Sequence, residues 1–158
     1  MTAPPPDSRA GTKTIASNRK AFHDFAIVDT NEAGLVLTGT EVKSLRQNGA
    51  SLVDGFVRLK AGEAWLVNVH IPPYDQGTFF SQHDPRRDRK LLMHKRELQR
   101  LQGKLQEKGL TLLPLRLYFK HNRVKVEVGL ARGKKLYDKR EAIKEREVRR
   151  ELERARRR

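Results

Sequence analysis

LLPLRLYFKHNRVKVEVGL, Leu112 to Leu130, decides the fold. Leu115, Leu117 and Phe119 alternate with other residues, Val124, Val126 and Val128 do the same, and His121-Asn122 stands between the two runs. A repeat of two puts the apolar side chains of an extended strand on one face, and a two-residue break containing Asn reverses the chain tightly. The stretch therefore predicts an antiparallel hairpin with one face buried and one wet, and Arg116, Lys120 and Lys125 fall on the wet face.

The same period recurs upstream. Phe25 and Ile27 alternate, TNEAG reads as a turn, and Leu35 and Leu37 resume, so residues 22–42 predict a second hairpin. Val57 and Leu59, an AGE turn, then Trp65, Val67 and Val69 predict a third. IPPY interrupts it, because consecutive prolines lack the amide donors of a central strand. A long polar loop runs on to Asp84.

Two segments follow a helical period instead. EVKSLRQNG sets Val42 and Leu45 three apart and stops at Asn48-Gly49, which predicts one or two helical turns with Lys43 and Arg46 outward. In RDRKLLMHKRELQRLQGKLQEKG, Leu98, Leu101 and Leu105 recur at three and four, which predicts a helix from Lys95 to Lys108 that ends before Gly109. Six or so strands in sequential hairpins, with helices on the outside, make a small antiparallel barrel or curled sheet. Residues 1–14 read as a disordered Pro-rich start, 15–131 as one domain and 132–158 as a basic tail.

The 158 residues carry a net charge of +15, which calls for a polyanionic partner. The tail from Arg132 holds 13 Lys/Arg against 6 Asp/Glu, a net +7, which leaves +8 for the remainder. There is no cysteine for a disulfide or zinc ribbon. No run is apolar enough to span a bilayer, and the start lacks the apolar stretch of a signal peptide, so a cytoplasmic protein is expected. Aromatics make up only 6% and fall mostly inward, which favours recognition of folded RNA by shape over stacking on loose single strands.

Catalysis finds little support. His23 stands beside Asp24, but neighbours in a strand point to opposite faces and would not pair. Nucleophile-elbow, P-loop and HExxH patterns are absent, and His70, His83, His94 and His121 lack ligand spacing, so no catalytic residue, metal or cofactor is expected. A nuclease built on His23 is the enzymatic alternative; it would turn RNA over and lose turnover in His23→Ala. A membrane-surface anchor is a third reading, but Ile143, Val148, Leu152 and Ala155 make too thin an apolar stripe. The basic clusters at Arg19-Lys20, Lys43/Arg46, Arg86-Arg87, Arg89-Lys90 and Lys95-Arg96 would form a phosphate-binding surface if the fold brought them together.

Taken in order, IASNRKAFHDFAI, EAGLVLTGTEVKSLR, DPRRDRKLLMHKREL and GLARGKKLYDKREAIKERE resemble the SmpB family, the small protein B that partners transfer-messenger RNA (tmRNA, SsrA) in bacterial trans-translation. The resemblance spans about Ile15 to Glu147. It implies a barrel similar to an oligonucleotide-binding (OB) fold, with about three helices outside and a C-terminal tail unstructured when free. It also implies an adaptor, not an enzyme, that binds the tRNA-like domain of tmRNA and delivers it to stalled ribosomes for rescue and peptide tagging. The implied partners are tmRNA and the small-subunit decoding centre with its 16S ribosomal RNA, with elongation factor Tu and alanyl-charged tmRNA indirectly. The resemblance involves no membrane, and a monomer is expected.

Carried over residue by residue, the tmRNA face comprises Asn18, Arg19, Lys20, His23, Glu32, Lys43, Arg46, Leu92, His94 and Arg96. Lys and Arg hold phosphates and a polar edge reads sugar or base, whereas Glu32 either orients a neighbouring Arg or accepts from a base amino group. Leu92 reads equally well as packing. The ribosome-facing set comprises Gly133, Lys134, Lys135, Tyr137, Asp138, Lys139, Arg140, Ile143, Lys144 and Arg146. Tyr137 stands where many members have His or Tyr. Val148 replaces the aromatic that many members have after this motif, so no stacking contact carries over there.

The tail has conflicting charge spacings. Glu145 and Glu153 sit four before Arg149 and Arg157, which favours a helix, while Arg146/Arg150 and Arg150/Arg154 repel at the same spacing. Folding upon RNA, which neutralises those arginines, is expected.

Overall fold

The computed structural model describes residues 12–76, 82–107, 109–133 and 135–156, the last segment as backbone alone up to residue 145. The hairpin read from Leu112 to Leu130 is its centre. Strands β6 (Leu110–Lys120) and β7 (Arg123–Gly133) pair antiparallel, and His121 and Asn122 both take positive φ, at 50° and 63°, as a two-residue turn twisted like its strands requires.

Around this pair lie β1 (Thr12–Ser17), β2 (Phe25–Leu35), β3 (Phe56–Lys60), β4 (Glu63–Val67) and β5 (Arg89–Leu92). They form one seven-stranded sheet in the order β1-β6-β7-β2-β5-β4-β3, antiparallel throughout. The expected barrel is corrected here: among the described residues no ladder joins β3 to β1, so the sheet curls without closing. It does bend back on itself, since a Cβ on Gly55, just before β3, would sit 3.2 Å from the Pro114 ring in β6. Val126, Val128, Leu130, Leu117, Leu66 and Ala64 fill the inner face almost without exposure.

The TNEAG stretch does not turn. β2 runs unbroken through it, because β7 offers partners from Gly133 opposite Phe25 to Lys125 opposite Gly34. A long ladder outweighs the local turn preference of Asn31 and Gly34. The AGE turn between β3 and β4 stands as read, with positive φ at Ala61 and Gly62, and the IPPY break stands too. β5 was not foreseen; its four residues precede the helix that the period revealed.

Bulges explain how a two-residue period serves two cores. Register slips between Pro114 and Arg116 and between Ile27 and Asp29, leaving Leu115 and Val28 as extra residues. Each slip turns the following side chains over. Leu112 and Leu117 therefore enter the main core, whereas Leu113 and Leu115 join Ala21 and Ala131 in a smaller one on the outer face. Leu115 and Leu117, expected on one face, lie on opposite faces.

Four helices are present rather than about three. α1 (Arg19–Asp24) covers the small core with Ala21. α2 (Gly39–Asn48) opens with a capping box between Thr38 and Glu41 and stops at Gly49, φ 71°, as Asn48-Gly49 implied. α3 (Lys95–Lys104) buries Leu101 and packs Leu98 and Leu105 on the main core. It ends before the expected Lys108, because Gln106 and Glu107 bond three residues back to Gly103 and Lys104 and tighten the last turn; Lys108 lies outside the described residues.

α4 (Lys135–Arg156) occupies the tail that the resemblance implied to be unstructured. Residues 146–156 are exposed throughout, with Val148 and Leu152 more than half exposed. This part of the helix rests on its own backbone bonds and not on packing. The start expected to be disordered over residues 1–14 is corrected at its end, since residues 12–14 already belong to β1 and pair with β6; residues 1–11 and the charges at 157 and 158 fall outside the described residues.

Candidate nucleic-acid interface

The outer face of the sheet carries the polar partners of the alternation. Glu32 in β2, Tyr118 and Lys120 in β6 and Lys125 in β7 all point there, one residue out of step with Ala33, Leu117 and Val126. The Tyr118 hydroxyl donates to Glu32, and Lys120 Nζ donates to both its carboxylate oxygens at 3.3 Å. Partial burial works against the Glu32 charge, but the hydrogen bonds from Tyr118 and Lys120 outweigh it and hold the carboxyl below its ordinary value. Glu32 thus orients a tyrosine and a lysine, not an arginine.

β2 and β5 pair only through Gly34 and Leu35, and where they part a cleft of about 660 Å³ opens. Glu32, Lys125, Lys90, Leu92, His94 and Glu97 line it. A Cβ on Gly34 would come within 3.2 Å of the Leu92 Cβ, so glycine there lets the two strands approach. Leu92 is 56% exposed, unusual for a leucine beside charged groups, and its side chain belongs to the cleft and not to the core. Lys125 has no ion pair among the described residues. The cleft is an anionic and cationic rim around an apolar spot, suited to sugar, base edge and phosphate together.

Glu32, Leu92 and His94 from the expected set therefore meet in one place, with Arg96 exposed two residues on in α3. The α1 group lies elsewhere. Seven residue steps along β2 separate Phe25 from Glu32, roughly 20 Å at strand rise. There, Arg19, Lys20 and His23 are exposed on α1. Asn18 is 2% exposed, its amide donating to Leu52 O and Pro114 O and its carbonyl capping Ala21 N, so it holds α1 against the seam where the sheet bends back. On α2, the Lys43 and Arg46 cations sit over the rings of Tyr74 and Phe119, 5.7 and 5.2 Å from their centres.

Two sequence readings are corrected. His23 and Asp24 end a helix, not begin a strand, and His23 Nδ1 lies 2.9 Å from Asp24 Oδ1, so they do pair. The basic run before Leu91 does not face outward as one surface. Arg89 is fully buried, bound to Glu41 and to Val69 O and Pro85 O, and Arg87 Nη2 reaches the same carboxylate at 2.5 Å. Lys120 and Lys125 were legible as wet-face residues, but their place beside Leu92 was not, because it depends on β5. Among the described residues no cluster of His, Cys, Asp or Glu could hold a metal ion, and no helix is long and apolar enough to cross a membrane.

Of the ribosome-facing set, Gly133 ends β7 and Arg146 is exposed on α4. Lys135, Tyr137, Asp138, Lys139, Arg140, Ile143 and Lys144 lie on the α4 backbone with side chains outside the described residues, as is Lys134.

The family described as SmpB protein matches residues 15–158. The SsrA-binding protein of Acidothermus cellulolyticus is 62% identical over 146 residues, covering 92% of this chain and 91% of its own length. That of Thermobifida fusca is 62% identical over 152 residues, covering 96% and 94%. A solved structure described as "tmRNA-SmpB: a journey to the center of the bacterial ribosome" aligns with a TM-score of 0.65 and 50% identity, over 79% of this chain and 85% of that one. Similar along nearly its whole length in sequence, and over most of it in structure, the chain belongs to the SmpB protein family.

Proposed function

We propose that this chain is an RNA-binding adaptor that holds the tRNA-like domain of tmRNA and delivers it to stalled ribosomes in trans-translation. The family consists of RNA-binding adaptors and not enzymes. The observation that carries the reading is the cleft between β2 and β5, which gathers Glu32, Leu92 and His94 beside Lys125 on a chain of net charge +15. Phosphates go to Lys125 and to the exposed cations of α1, and Leu92 with the Glu32–Tyr118–Lys120 group sets sugar and base edges.

In this reading residues 15–131 bind tmRNA and residues 132–158 enter the decoding centre and message channel. There Gly133, Lys134, Lys135, Tyr137, Asp138, Lys139, Arg140, Ile143, Lys144 and Arg146 meet 16S ribosomal RNA. The protein acts as a monomer, and elongation factor Tu brings the alanyl-charged complex. In the same reading Lys43 and Arg46, exposed on α2, hold further phosphates of that RNA.

Two variants separate the surfaces. Lys125→Gln lowers affinity for tmRNA severalfold and shifts the melting temperature little, since Lys125 makes no ion pair among the described residues and a neutral side chain adds no repulsion to Glu32. Deleting 133–158 leaves that affinity within a fewfold, measured by mobility shift, and abolishes peptide tagging on stalled ribosomes. A truncation that loses tmRNA binding overturns the division of labour.

A further inference from the structure

Beyond the cleft, the outer face of the β3–β4 hairpin holds a second depression, about 350 Å³, lined by Arg58, Lys60, Glu63, Trp65, Val67 and Asp88. Its floor is Trp65, the only tryptophan in the chain. Register fixes the surroundings: Arg58 lies directly across from Trp65 on β3, Lys90 lies across from it on β5, and Lys60 pairs with Glu63 at the hairpin end. Arg58 leans toward Phe56, its guanidinium 5.4 Å from that ring centre, and so does not stack on Trp65.

The two carboxylates differ. Glu63 is bound to Lys90 at 3.2 Å. Asp88 is exposed, and its side chain has no hydrogen bond or ion pair among the described residues. A lone aromatic on a strand is ordinary surface. An aromatic floor with cations on one wall and an unengaged acceptor on another matches the three parts of a nucleotide: a ring to stack, a phosphate to neutralise and an amino edge to accept from.

We propose that this groove binds one unpaired nucleotide of RNA, its base stacked on Trp65, its phosphate at Arg58 and Lys60, and the amino group of the base donating to Asp88. Charge selects this occupant, because the carboxylates of an acidic peptide meet Asp88 with like charge and an apolar peptide leaves Arg58 and Lys60 without an anion. Glu63 lines both this groove and the cleft between β2 and β5, so the two depressions adjoin. A strand leaving the cleft reaches Trp65 without crossing the core. This rests on the chain binding RNA, but it assigns a separate contact with its own base preference, for bases with an exocyclic amino group over uracil.

Trp65 reports on its own occupancy. Titrating the full-length protein with a single-stranded oligocytidylate of about seven nucleotides quenches Trp65 emission to saturation, and oligouridylate of equal length binds more weakly. Asp88→Asn brings the two oligomers together, Arg58→Ala weakens both about tenfold, and Trp65→Phe retains binding measured by anisotropy of a labelled oligomer. Unchanged emission at oligomer concentrations where tmRNA binds overturns the nucleotide site and leaves the adaptor reading standing. Equal affinity for the two oligomers overturns the assignment of Asp88. Saturable quenching by oligocytidylate in a protein that fails to bind tmRNA supports the groove and removes the adaptor reading instead.

Discussion

Glu41 and Arg89 have no exposed side-chain surface, and the carboxylate takes Arg89, Arg87 and the Thr38 amide at once. Burial alone would raise the Glu41 carboxyl, but the bonds from Arg87, Thr38 and Arg89 outweigh it and hold it below its ordinary value. Removing one member strands the other charge in the interior, so Glu41→Gln costs about 3–5 kcal/mol by chemical denaturation. A paired apolar replacement of Glu41 and Arg89 together costs far less, and equal losses in single and double variants would refute the pairing. Because the folded carboxyl is depressed, its contribution is complete above the ordinary glutamate range and falls away as acid titrates through the lowered value. The wild-type stability therefore drops below about pH 4, and Glu41→Gln flattens that limb. At this scale the sequence showed which residues are charged but not which are spent internally: nothing in RDRK separates buried Arg89 from half-exposed Lys90 except the two-residue alternation of a strand the sequence did not reveal. Asn18 is similar, since its amide bonds span 34 and 96 residues.

At the scale of elements, the hairpin from Leu112 to Leu130 was legible because its period is local, and α2 and α3 because their apolar spacing and glycine stops are local too. The bulge at Leu115 was not, because alternation continues through it in the sequence while the backbone turns over. That bulge depends on Gly129, paired with Leu113 on the neighbouring strand, where a Cβ would come 2.6 Å from Leu115 Cδ1 and 2.9 Å from its Cγ. Leu115 is fully buried and has nowhere to swing. Gly129→Ala therefore destabilises by about 1–3 kcal/mol, and adding Leu115→Ala recovers part of that loss, a non-additivity read directly from denaturation midpoints. Strict additivity would mean the two residues do not compete for that space. β2 fails as a hairpin for a related reason: its turn residues found a partner strand, and only tertiary pairing decides that.

For the whole molecule, the count of 34 Lys and Arg overstates the cations available to RNA. Arg89 and Arg87 serve Glu41, Arg100 and Lys104 serve Asp29, Arg116 serves Glu127 and Lys120 serves Glu32. Among the described residues of the body, Lys13, Arg19, Lys20, Lys43, Arg46, Arg58, Lys60, Arg86, Lys95, Arg96, Arg123 and Lys125 make no ion pair. Phosphates reach these first, since binding there breaks no existing pair. If about six of them engage, the affinity for tmRNA falls roughly a thousandfold between 50 and 200 mM salt, following a log–log slope near −4 to −5. Neutralising a free cation lowers that slope by about one, so Lys125→Gln is measurably flatter than wild type. Arg116→Gln leaves the slope unchanged, because its guanidinium is already held 2.6 Å from Glu127 and releases no counterion. Equal flattening by both variants would show that ion pairs on the sheet open when RNA arrives, and that the count of phosphate contacts follows total charge and not unpaired charge.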